Sequence, residues 1–114
     1  MEYTKQQTAA EIGRLLQADG IRPGISGYEY IQQGVAMVLE EPSLLHSVTK
    51  QLYPAIAKAS GTSASCVERS VRYVLQPMEQ TGKTYLTKLV EELWLQKNRS
   101  IASTNWLTKP KQKD

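Results

Sequence analysis

With 114 residues, 40% of them apolar and 22% charged, the chain has the length of one domain and a composition that excludes disordered and fibrous classes. No apolar run approaches the roughly 20 residues of a membrane span, the start MEYTKQQTAAEIGRLL is too polar and acidic for a secretory signal, and one cysteine, Cys66, with one histidine, His46, makes neither a disulfide nor a zinc quartet. The net charge of +3 is concentrated late: residues 1–60 balance to −1 and 61–82 to zero, while 83–114 hold seven basic and three acidic side chains.

A soluble protein of the reducing cytoplasm is therefore expected. Its basic end, with Lys97, Arg99, Lys109, Lys111 and Lys113, is suited to attract a polyanion, nucleic acid above all, although a solvated terminus would look the same. Apolar residues recur at three-to-four spacing with no sustained period-two alternation, so the predicted fold is all-α: a compact bundle of five to six helices. Ala9, Ile12, Leu15 and Leu16 form the stripe of a first helix that stops near Gly20, with Pro23 and Gly24 just beyond. A second begins near Ser26 or Gly27 and presents Tyr30, Ile31, Val35, Val38 and Leu39 until Pro42.

Ser43 is placed to cap a third helix carrying Leu44, Leu45, Val48 and Leu52, and Pro54 suits the first turn of a short fourth that ends at Gly61. After the polar turn Thr62–Ser65, in which Ser63 or Ser65 can cap, a helix from about Ala64 to Gln76 turns Val67, Val71, Val74 and Leu75 inward. Pro77 stops or kinks it. The last helix, after Gly82, sets Leu86, Leu89, Val90, Leu93 and Trp94 on its packed face, with Lys88, Glu91 and Glu92 opposite. Periodicity fades at Asn98, so the expected division is a helical domain over 1–97 and a polar basic tail over 98–114.

The stretch Leu52–Leu75, LYPAIAKASGTSASCVERSVRYVL, carries the functional signal. A helix-turn-helix needs a small residue where its helices cross, here Ala57. Four positions on it needs a residue tolerant of positive φ, here Gly61, and then an apolar lock, here Val67. Ser60 and Ser70 stand where apolar residues are usual. With the valines inward, Ser65, Glu68, Arg69 and Arg72 point outward. Arginine can donate two hydrogen bonds to guanine O6 and N7, and glutamate can accept from the cytosine N4 amino group. Glu68, Arg69 and Arg72 are thus the candidate base readers, and Thr62, Ser63 and Ser65 at the helix start suit phosphates. The competing interpretation of the same face is a solvated surface with a Glu68–Arg72 ion pair.

The pieces GYEYIQQGVAMV (Gly27–Val38), LLHSVTKQLYPAIAK (Leu44–Lys58) and TSASCVERSVRYVL (Thr62–Leu75) resemble the C-terminal DNA-binding effector domain of the sporulation master response regulators. The last helix, YLTKLVEELWLQ, is also similar. The resemblance implies an all-helical domain that binds duplex DNA at a GC-containing operator, often as paired or tandem copies. Glu68 and Arg69 then fall on the family's base-reading pair and Arg72 on its following arginine. Tyr73 replaces a usual histidine at a phosphate-contacting position, and Cys66 a usual basic residue. The family's aspartate-bearing receiver domain does not precede this effector in the sequence, so control by phosphorylation of that domain is not expected. The connector before the last helix is shorter than the family's and contains Pro77.

No glycine-rich phosphate loop, nucleophile elbow or metal triad is present, so neither catalysis, a cofactor, a metal nor a small-molecule substrate is expected. A lone Cys66 suggests packing before redox switching. Trp94 and Trp106 suggest core or dimer contacts. The expected function is sequence-specific transcription regulation. The alternative, motivated by Cys66, Tyr73 and the small net charge, is an interaction module that pairs with a full-length regulator and modulates it.

Overall fold

The computed structural model describes residues 5–101 and contains five α-helices within that span. Helix α1 covers Lys5–Ala18, α2 Ser26–Glu40, α3 Tyr53–Ser60, α4 Ala64–Leu75 and α5 Gly82–Ile101. α1 buries Ile12 and Leu16, as its stripe predicts, and closes where the Ile21 N–H bonds back to the Leu16 carbonyl at 3.0 Å, which returns Ile21 to the core.

α2 is the central helix, packed against all four others. It buries Ile31, Val35 and Val38, with Tyr28 added and with Gly27 and Gly34 at its closest crossings. At Gly27 the approach is to backbone: a Cβ there would lie 2.7 Å from the Ser70 carbonyl oxygen of α4 and within 3 Å of both Val74 methyls. Only glycine lets α4 sit so close to α2.

The segment between α2 and α3 corrects the expected Ser43-capped helix. Pro42 opens a short 3-10 turn, Pro42–His46, and the Ser43 hydroxyl donates to the Glu41 carboxylate at 3.3 Å instead of capping. A wider π-type turn, Val48–Leu52, then runs directly into α3. The Ser47 carbonyl accepts from both Gln51 and Leu52. Pro54 has no N–H to offer the Lys50 carbonyl four residues back, which interrupts the α pattern at this place.

α5 corrects a second expectation, because Trp94 is 60% exposed. The buried stripe is Tyr85, Leu86, Leu89 and Leu93, with Val90 at its edge. Tyr85 swings that stripe around the helix, which leaves Trp94 roughly 130° from its centre at 100° per residue. The Tyr85 hydroxyl donates to Asp19 Oδ2 at 2.6 Å, tying α5 to the end of α1, and burial, with the carboxylate second, pushes its pKa strongly upward. α5 continues through Ile101, past the fading of periodicity at Asn98. Trp106 and the lysines at 109, 111 and 113 lie outside the described residues, as do the side chains of Lys97 and Arg99. Among the described residues no helix is long and apolar enough to cross a membrane.

Candidate nucleic-acid interface

The geometry of this surface begins at Gly61, which ends α3 in the left-handed conformation at φ 72°. The N–H groups of Gly61 and Thr62 both bond the Ala57 carbonyl, the latter at 2.9 Å, and the chain reverses within three residues. Ser63, in extended conformation, is the cap: its hydroxyl oxygen accepts from the Cys66 N–H at 3.1 Å. Of the two serines open to that role in the sequence, Ser63 takes it. Ala57 is buried at the crossing of α3 and α4, and Val67, Val71 and Leu75 are buried beneath α4. The structure thus contains a helix-turn-helix formed by α3, the Gly61–Ser63 turn and α4.

Burial of that stripe leaves the opposite face of α4 in solvent. Ser65, Glu68, Arg69 and Arg72 are exposed, as is Ser63 before them. Tyr73 is 71% exposed. Arg69 lies at the middle of this face and has no carboxylate partner among the described residues, whereas Arg72 Nη1 stands 3.7 Å from Glu68 Oε2. Glu68 also lies near the buried phenol of Tyr53, whose pKa is raised by burial first and by that carboxylate second.

Thr62 differs from its neighbours. Its hydroxyl stands close to Cys66 and Tyr30 and is the first cause holding the Cys66 thiol below its usual pKa; burial opposes that shift, and Tyr30, Arg69 and Ser70 support it. Burial, with the thiol second, raises Tyr30 in turn. Ser60, at a position usually apolar, is exposed and donates to Gln33 at 3.2 Å, so the fold accepts a polar residue there without burying it.

Beside α4 runs an open groove of about 1040 Å³. From α4 and just beyond it, Glu68, Arg69, Arg72, Tyr73 and Gln76 line it, and residues 46–50, Tyr53 and residues 79–83 supply the rest of the lining. Thr62, Ser63 and Ser65 do not reach this groove; they cluster at the start of α4. Lys50, Lys83 and Gln76 are among the lining residues that the sequence gave no reason to single out. Lys50 and Lys83 come from segments far apart in the chain, and no local pattern joins them.

An all-helical fold of this order, with an exposed arginine-bearing second helix after the turn, belongs to the class of all-α domains that contain a helix-turn-helix. Residues 12–106 match the family described as "Sporulation initiation factor Spo0A C terminal", and the chain belongs to that family. This family is a DNA-binding effector domain of transcription regulation in sporulation, and not a known family of enzymes.

Proposed function

We propose that the chain binds duplex DNA sequence-specifically by laying α4 in the major groove, and so regulates transcription in the cytoplasm. The observation that carries this reading is Arg69: exposed, without a carboxylate partner among the described residues, and central on the face of α4 opposite Val67, Val71 and Leu75. Arg69 donates its two hydrogen bonds to one guanine, Glu68 accepts from a neighbouring cytosine, and Arg72 reaches a further guanine. Ser63, Ser65 and Tyr73 contact phosphates, and Thr62 joins them at the start of α4. Paired or tandem copies on DNA are the arrangement the family likeness supports.

Selection from a random duplex pool tests the reading. An enriched motif is expected, and Arg69→Ala should weaken binding to it by about 1–3 kcal/mol and relax preference at one base position. Equal affinity of parent and variant for the selected site would refute the role of Arg69. Failure to enrich any motif at low salt would instead favour an interaction module that pairs with another regulator.

A further inference from the structure

Two cations that line the groove from outside α4 are not among the proposed base readers. Lys50 lies in the π-type turn that leads into α3, and Lys83 in the first turn of α5. Both are exposed, both line the groove that Arg69 and Arg72 line, and neither has a carboxylate partner among the described residues. The wall that carries them is anchored. The buried Tyr53 places its hydroxyl against Gly82 where any Cβ would overlap it, so the start of α5 is seated directly on the start of α3. The Thr84 N–H bonds the Thr81 hydroxyl at 3.1 Å and fixes that first turn further.

A helix with its side chains is about 10–12 Å across, and the major groove is about 12 Å wide. A helix seated there is therefore bordered by a sugar–phosphate strand on each side. The groove beside α4 is where one of those strands has to pass, and its far wall then meets phosphates rather than bases.

We infer that Lys50 and Lys83 form a phosphate clamp on one DNA strand, each neutralising one phosphate while α4 occupies the adjacent major groove. The inference rests on the reading of α4 as the base-reading helix. Glu79 lines the same wall and Glu68 the facing one, but four cationic side chains, Lys50, Arg69, Arg72 and Lys83, outnumber these two carboxylates in the groove. The start of α5 adds the partial positive charge of a helix N-terminus to the same wall.

The test uses the full chain and the double variant Lys50→Ala/Lys83→Ala, with binding to the selected site and to a random duplex titrated against salt. Losing two phosphate contacts should flatten the log–log salt slope by about 1.8 and weaken binding roughly 30-fold at 0.15 M salt, on both duplexes alike. Melting temperature should stay at the parent value, since both side chains are exposed. An unchanged slope in the double variant, with the parent still selective, overturns the clamp and leaves the α4 reading intact. A parent that binds no duplex overturns both, and a loss confined to the selected site shows the lysines to be base readers rather than a clamp.

Discussion

Gly27→Ala is the substitution by which the fold most directly tests the interface. The new Cβ would meet the Ser70 carbonyl oxygen at 2.7 Å and the Val74 methyls at 2.8 and 2.9 Å, which is 0.5–0.7 Å inside the 3.4 Å at which ordinary contact begins. Val74 can give a little. A carbonyl within α4 cannot turn away, so α4 must move off α2 as a body. Overpacking of this kind costs about 1–3 kcal/mol. The gain from replacing glycine in a helix reaches about 0.8–1 kcal/mol in an interior but only a fraction of that in the first turn of α2, where Gly27 stands.

The net expectation is a loss of about 1–2 kcal/mol, read as a fall in Tm of roughly 5–15 °C for a domain of this size. Because Ser70 neighbours Arg69, the folded variant should also bind the selected duplex more weakly than its stability alone explains. Thermal melts by circular dichroism and duplex titration well below the variant's Tm measure the two effects separately. Val74→Ala in the same chain should return part of the stability by removing two of the three overlaps. A Gly27→Ala protein that melts at or above the parent would refute the close approach of α2 and α4.

The cap and the buried phenol offer two further tests. Ser63→Ala should cost about 1 kcal/mol through the lost bond to the Cys66 N–H; Ser63→Asp should recover the cap yet bind duplex worse, because its carboxylate faces phosphate, and equal DNA binding by Ser63→Asp and parent would exclude Ser63 as a phosphate contact. Tyr85 keeps its proton in the folded state well above pH 10, where a free tyrosine loses it, owing first to burial and then to Asp19. The unfolded chain ionises first as pH rises past about 10, so this contribution is fully present below that pH and lost above it. Tyr85→Phe should be less stable by about 1.5–3 kcal/mol near neutrality, for want of the bond to the Asp19 carboxylate, and the gap should narrow above pH 10. A gap that stays constant in melts from pH 8 to 11 would refute that coupling.

The helix-turn-helix was legible because several independent local signals coincide in it. Ser63 caps, Gly61 supplies positive φ, Val67 and Val71 mark one face, and α4 ends at Leu75, two residues before Pro77. α5 was less legible because its burial is decided by Tyr85, a residue whose polar end gave no reason to place it inside. Asp19, far away in sequence, supplies the partner that makes its burial affordable. The turn region 42–52 departs from its apolar spacing for a related reason: two prolines and Ser47 set the hydrogen-bond pattern against a spacing that looks like one helix. The far wall of the groove is a tertiary product. The seating of Gly82 on Tyr53 brings Lys83 to the groove that Lys50 also lines, and no spacing along the chain encodes that contact.

The Glu68–Arg72 pair decides between the two interpretations of the α4 face less than its presence suggests. At 3.7 Å between exposed side chains it is worth about 0.3–0.5 kcal/mol. A correct bidentate base contact contributes about 1–3 kcal/mol of discrimination, so DNA can separate the pair at small cost. Glu68 has the further property that it repels every phosphate and gains only from a donor such as the cytosine amino group. A carboxylate on this face therefore lowers affinity for random duplex more than for the right one, which is selectivity by penalty. In the free protein Arg72 offsets part of that charge, and in the proposed complex it leaves Glu68 for DNA. Glu68→Gln should accordingly bind random duplex more tightly than the parent while its ratio of specific to random binding falls. An unchanged ratio would return Glu68 to the solvated face.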